Sequence, residues 1–574
     1  MQKWMLVLQV FFCFLLTSAH AEKRLNNLVV ELINEQNVAD KTYTLSLPRP
    51  GWIFIRSDRQ GDASATLTGA KLTFANVDGK SETMRHLPAG DHPLAITGTM
   101  KSLIVRRIPE IRFANYPADP WVWRFGPYDW EFLSRHILPN LTTLVAQATP
   151  DLAEKATAWR ASGKQWMIEA IAPGLNDSKK PIDAAKVLAE FGSSETLGRE
   201  WVDGAMIDEY YPSVHHVLEP TLAALKASAQ DPKLAKKLLE PYVAGEAAGM
   251  TDFVRQSIES GHRVAFERYN CEQPTEAAAK TYLHDRMAKY LDIYAKAIPD
   301  IQQHVVIALG FMSGSPETLN TCPSASYRVF QDMEFQLLAN DPRFEELAGV
   351  MFYTSSYAEE ETIRWSGKLL RHYCIEGSRE RMSIEPYALD HLQNPDFEQG
   401  LAGWNAAPAA ADSIVAKTVA DLGDKEGRFG ADKAGDTCAV MIRSDNAPNR
   451  LSQTVKNLKP GKTYALRMYS TSLNEDHSHY GNPTFDDVTR LRIQIDGVDV
   501  DAAKSFDHIY RSIHTAKLMY FNYHFRIFKP HGETATLTLS DWTTDTTPGG
   551  NIGRTTAVNF VEVMPYFEDE QKLP

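Results

Sequence analysis

Val202-Asp203-Gly204-Ala205-Met206-Ile207-Asp208-Glu209-Tyr210-Tyr211-Pro212 reads as an apolar β-strand that ends abruptly on two carboxylates. Short β-prone runs of this kind recur on both sides of it, and between them the hydrophobic period lengthens to that of a helix. The stretch supplies a strand at 203–209; before it stand 110–116, 141–147 and 165–171, and after it 239–244, 262–268, 303–310 and 347–353. Helix-like segments alternate with them, among them 129–138, 152–162, 251–260, 276–297, 325–338 and 359–376. Strict alternation of strand and helix demands parallel pairing through right-handed crossovers. Eight such units fit a closed (β/α)8 TIM barrel, whose usual length is about 250 residues. Pro241 in the fifth strand leaves a count of seven open. The rival is an open doubly wound sheet, but no Gly-x-Gly-x-x-Gly follows the first strand and no phosphate-binding loop occurs.

The flanks have a different texture. Residues 22–108 carry short alternating runs such as Gly51-Trp52-Ile53-Phe54-Ile55, punctuated by Pro, Gly and Asp, and read as an N-terminal β-sandwich with Trp52 in its core. The barrel then occupies 109–386, and a third, β-rich segment fills 387–574. A chain of 574 residues is too long for one core. Sixty Lys and Arg against 73 Asp and Glu give a net charge of −13, with no basic run to neutralise phosphates, so nucleic acid is not an expected partner.

Residues 1–21 combine Lys3, an apolar run from Met5 to Leu16 and Ala19-His20-Ala21, the anatomy of a signal peptide cleaved after Ala21. That run would reach only about 18 Å as a helix against a bilayer core of about 30 Å, and no later segment is long and apolar enough for a membrane span. The expected location is secreted or periplasmic. Cys271, Cys322, Cys374 and Cys438 then face oxidising conditions, and none forms a Cys-x-x-Cys pair, so no metal is expected. Cys271 and Cys322 follow strands 6 and 7, whose loops are neighbours in a barrel, and are expected to form a disulfide; two free thiols are the alternative.

In such a barrel the carboxyl ends of the strands converge on one mouth. Asn115, Tyr116, Gln147, Glu169, Asp208, Glu209, Glu246, Glu267 and Tyr353 fall there, with Tyr210 beside the pair and Trp121, Trp123 and Trp130 just beyond strand 1. Asn115, Tyr116, Trp121, Trp123, Tyr210 and Tyr353 are the candidate substrate contacts, since aromatic faces stack on sugar rings. Asp208 and Glu209 point to opposite faces of a regular strand, so both reach the mouth only if the chain turns at once. Two close carboxylates cannot ionise independently, which suits acid–base work. Glu267 and Glu169 are the candidates for a further carboxylate, base or nucleophile; either could instead belong to an ion pair, Glu267 with Arg268. Glu359, Glu360 and Glu361 read as a solvated first turn of a helix. His477-Ser478-His479 beside Asp476 reads as a polar loop.

Two resemblances follow from these residues. An Asp-Glu pair ending strand 4 resembles that of the hexosaminidase-type glycosidases, which implies Glu209 as acid and Asp208 orienting a substrate acetamido group. It is also similar to the wider clan of barrel glycosidases with an acid/base Glu on strand 4, although here Asp208 stands where Asn is usual and strand 7 ends in Leu309-Gly310-Phe311. Asn394-Pro395-Asp396-Phe397-Glu398, Gly403-Trp404, Gln453-Thr454-Val455 and Leu458-Lys459-Pro460-Gly461-Lys462-Thr463-Tyr464 resemble the CenC-type carbohydrate-binding modules of families 4 and 9. This implies a galactose-binding-like β-jelly-roll at the C-terminus. The expectation is an exported glycoside hydrolase without a cofactor, acting on a polysaccharide or oligosaccharide. The alternative is a non-catalytic carbohydrate-binding protein that binds through the C-terminal module, where the exposure of Trp404, Tyr480 and Trp542 matters.

Overall fold

Glu110–Asn115, Thr143–Ala146, Gln165–Ile171, Gly204–Tyr210, Leu238–Val243, Val264–Arg268, Val305–Gly310 and Gly349–Tyr353 form, in sequence order, a closed parallel barrel. They are barrel strands 1 to 8. Strand 1 returns to strand 8 through Glu110↔Gly349 to Phe113↔Phe352, which completes the ring. Strand 5 runs through Pro241 opposite Ile207, so the count is eight. The computed structural model describes residues 22–115, 126, 128–175, 182–429, 435–473, 477, 490–515 and 517–568. The expected signal segment 1–21, and Tyr116, Trp121, Trp123, Asp476, His479 and Tyr480, lie outside the described residues.

Side chains on alternate strand positions face the barrel axis and stack in layers. At the waist are Ala114, Val145, Met167, Met206, Tyr242, Ala265 and Met351, all buried. One layer toward the amino ends, the fully buried Arg112 donates to Glu110 at 2.6 Å and forks onto Glu240, while Arg263 pairs with Glu110 from the rim. Two arginines balance two glutamates, so this floor is a closed ion-pair cluster. The opposing charges hold the Glu110 carboxyl well below the usual carboxylate range despite its burial. Surrounding helices start on side-chain caps: Asp129, Asp183, Thr275 and Ser326 each accept a backbone N–H of the first turn.

Residues 30–107, with the strand Lys23–Arg24, form a separate compact unit of one six-stranded and one four-stranded antiparallel sheet around Val38, Ile53, Ile55, Leu94 and Leu103. Trp52 is buried within it. Residues 25–29 and 108–574 make up the other unit.

Within that larger unit, the C-terminal segment is a sandwich of a four-stranded and a six-stranded antiparallel sheet. Leu466 and Met468 of the strand Tyr464–Thr471 face the sandwich core with Phe397, Trp404, Leu451 and Leu537. Arg467, of opposite parity, meets the barrel. It donates to Glu359 at 2.6 and 2.7 Å, to Glu562 at 2.7 Å and to Glu361, while the Tyr523 hydroxyl donates to Glu359 at 2.7 Å and Arg328 to Glu361 at 2.9 Å. Glu359 and Glu361 are therefore buried at a junction, not solvated in a first turn as the sequence suggested. A cation 108 residues further along the chain accounts for the difference.

Cys271 and Cys322 are free thiols, contrary to the expected disulfide. Their loops do meet, but Glu272 makes the connection by accepting the N–H groups of Thr321 and Cys322 at 2.8 Å each. The Cys271 Sγ lies 3.9 Å from the Tyr282 hydroxyl, and the Cys322 Sγ 3.3 Å from the Ser324 hydroxyl.

Candidate functional site

The alternation that sends Met167, Met206, Ala265 and Met351 into the waist sends the residues two places further, Glu169, Asp208, Glu267 and Tyr353, into the next layer at the carboxyl ends of strands 3, 4, 6 and 8. Regular alternation would turn Glu209 away from Asp208. Strand 4 instead changes register against strand 5 between Ile207 and Tyr210, and Glu209 stands exposed at the mouth, where its charge acts on Asp208 and Glu267. The Asp208–Glu209 and Tyr353–Thr354 peptides are cis.

In this layer the acids act on one another. Burial first, then the charges of Glu169, Glu209 and Glu267 and a hydrogen bond with Glu169, push the Asp208 carboxyl up to about 9. Burial pushes Glu267 up to about 7, with Arg268 opposing and Glu209 and Glu317 reinforcing the shift. Arg268 makes no ion pair with Glu267. Its guanidinium lies 3.7 Å from the centre of the Tyr290 ring and donates to the backbone carbonyls of Glu267 and Gly245.

Aromatic hydroxyls line the acids. Tyr353 donates to Glu169 at 3.2 Å, Tyr269 lies parallel to Tyr353 at 5.7 Å and 12°, and the Tyr242 and Tyr269 hydroxyls are 3.0 Å apart. An open depression bordered by Gln147, Thr149, Glu169 and the exposed Ile171 adjoins this layer on the side of strands 2 and 3.

Two expected contacts are elsewhere. Asn115 alternates with the inward-facing Ala114 and is buried on the outer side of strand 1. Tyr210 packs against Phe253 at 5.0 Å and bonds Thr221 at 3.2 Å, facing the helices and not the mouth. In the sandwich, Trp404 is buried against Phe397 and Trp542 is buried with its indole N–H on the Ser444 carbonyl, so neither offers an open ring face. Both ring nitrogens of His477 are engaged, one by the Tyr520 N–H and one by the Ser472 carbonyl.

The sequence reading missed Tyr242, Tyr269, Glu317, Phe429 and His514. Tyr242 was legible in principle as an inward position of strand 5. The others sit on loops, where no periodicity reveals direction. Chemically, carboxyls in different protonation states around one opening can donate and accept protons in the same event.

No protein-family model matches the chain, and no curated protein matches it. Among solved structures it is similar to a calcium-binding mutant of Bacteroides uniformis beta-glucuronidase 2, at 9% identity over 93% of this chain and 80% of that one, with a TM-score of 0.35. It is also similar to a chitinase from Bacteroides thetaiotaomicron, at 13% identity over 47% and 97% of the two chains and a TM-score of 0.30. A family 61 carbohydrate-binding module in complex with beta-1,4-galactotriose aligns over 31% of this chain and 99% of its own, at 12% identity and a TM-score of 0.17.

Proposed function

We propose that the chain is an exported glycoside hydrolase whose chemistry takes place at the barrel mouth. The observation that carries this reading is the contrast between two layers of the same barrel: at the floor, opposing arginines hold the buried Glu110 well below the usual carboxylate range, whereas at the mouth burial and neighbouring acids push Asp208 and Glu267 up. Burying carboxyls beside like charges is costly, and active sites are where that cost is usually found. Glu267, still partly protonated near neutral pH, supplies the proton to the departing glycosidic oxygen. Glu209, open to solvent, is the base or nucleophile. Asp208 keeps its proton, shares it with Glu169 and orients the substrate. This keeps the orienting role that the hexosaminidase-type resemblance implied for Asp208 but gives the acid role to Glu267 instead of Glu209.

A panel of 4-nitrophenyl glycosides and polysaccharides, read by nitrophenol and reducing-end release, tests the reading. Glu209→Gln and Glu267→Gln should each lower kcat by about 10²–10⁴ while leaving the fold intact. Glu267→Gln should also remove the alkaline limb of the pH–rate profile near pH 7. A wild-type protein that cleaves no member of the panel, or either variant within tenfold of wild type, rejects it.

A further inference from the structure

The loop that follows strand 7 is tied to the sandwich. The Thr318 N–H donates to the Gly427 carbonyl at 2.7 Å, and the Thr318 carbonyl accepts from Phe429 at 2.9 Å. Ser315 donates to the Glu426 carbonyl at 3.0 Å, which also accepts the Tyr510 hydroxyl at 3.0 Å. These bonds hold Glu317 beside the mouth, close enough for its charge to act on Glu267 and for Glu209 to act on it. His514, from the sandwich, approaches from the other side. Its Nε2 is 3.8 Å from Glu317 Oε1, beyond hydrogen-bond length, and this buried nitrogen has no hydrogen-bond partner. Buried polar atoms are rarely left so, and an unseen ligand or water is a usual reason. Phe429, also from the sandwich, meets Tyr269 edge-on at 6.1 Å and 68°.

We infer that Glu317, His514, Tyr269 and Phe429 form a substrate subsite, built jointly by barrel and sandwich, for a neutral hydroxylated sugar ring. The inference rests on the glycosidase reading of the mouth and adds the class of sugar. A ring hydroxyl fits between the carboxylate and the imidazole, donating to one and pairing with the other, while the aromatic pair takes an apolar C–H face. Charge decides against an anionic ring. Among the described residues, Asp208, Glu209, Glu267 and Glu317 act on one another at the opening, whereas two cations act on Glu267: Arg268, which donates to backbone carbonyls, and Arg286, 3.9 Å from Glu246. Among the described residues, a uronate would meet more carboxyls than cations there.

The test is calorimetric binding to the full chain carrying Glu209→Gln, so that ligands are not consumed. The probes are neutral cello-, xylo-, galacto- and N-acetylchito-oligosaccharides, against oligogalacturonate. A neutral oligosaccharide should bind, and adding Glu317→Ala or His514→Ala should weaken it at least tenfold. The double variant should lose little more than the worse single one, because both groups hold the same hydroxyl. Glu317→Gln and His514→Gln serve where an alanine variant misfolds. Unchanged affinity in both single variants, preference for the uronate or no binding of any neutral probe overturns the subsite. Wild-type hydrolysis separates the two readings: binding that depends on Glu317 and His514 without turnover removes the glycosidase and keeps the subsite, whereas turnover with KM unchanged in both variants does the reverse.

Discussion

Asp208 and Glu267 hold protons that ordinary carboxyls release near pH 4, and this has a sign that can be checked. A carboxyl whose pKa is higher folded than unfolded favours the fold fully below its unfolded value and loses that contribution as pH rises through the folded one. For Glu267 the window runs from about 4.5 to about 7, and for Asp208 from about 3.8 to about 9. Both Asp208→Asn and Glu267→Gln should therefore match wild type in Tm near pH 4; the gain of Glu267→Gln should grow to about pH 7 and then level off, and that of Asp208→Asn should grow to about pH 9. Thermal melts across that range decide it, and a constant offset would mean that the mouth does not store this repulsion. At this scale the sequence was informative about identity and poor about direction. Glu169, Asp208, Glu209 and Glu267 could be picked because the carboxyl ends of barrel strands converge on one mouth and burying an acid there is costly. Asn115 and Tyr210 could not be placed, because which parity faces the axis is decided only when all eight strands close.

Barrel strands were legible because alternation of period 2 and period 3.6 leaves a local trace; strand 3 has the bounds expected of it, Gln165–Ile171. Loops leave none, which is why the path that brings Glu317 to the mouth was invisible. That path depends on Gly427, whose φ is +92° and whose Cβ, were there one, would stand 1.8 Å from the Pro316 carbonyl oxygen. Gly427→Ala should thus lower stability by about 1–3 kcal/mol and displace the loop after strand 7. If Glu317 contributes to binding, KM should rise more than kcat falls. A variant with wild-type Tm and KM would show that the clamp is not needed to place Glu317.

Across the whole molecule, Arg467 makes the C-terminal sandwich part of the same structure as the barrel, although the CenC-like pattern suggested a detachable module. Removing the sandwich would strip Glu359 of Arg467 and Tyr523, and removing Arg467 alone takes the ion-pair partner from Glu359 and Glu562 while Glu361 keeps Arg328. Breaking one partner of such a buried cluster costs about 3–5 kcal/mol. Arg467→Ala should accordingly lower the main melting transition, and calorimetry of the wild type should show barrel and sandwich melting together. The N-terminal unit, with its own core, should melt in a transition of its own. Separate melting of barrel and sandwich in the wild type would contradict this. The barrel's opposite end has a consequence of another sort. Arg112, Glu110 and Glu240 close the floor beneath a waist of methionines, so on the proposed reading substrate and both products use the one mouth at the other end. If the proposed hydrolysis and subsite hold, the order of departure becomes a kinetic constraint: a product that stays against the Tyr269–Phe429 wall should block the next arrival and act as a competitive inhibitor.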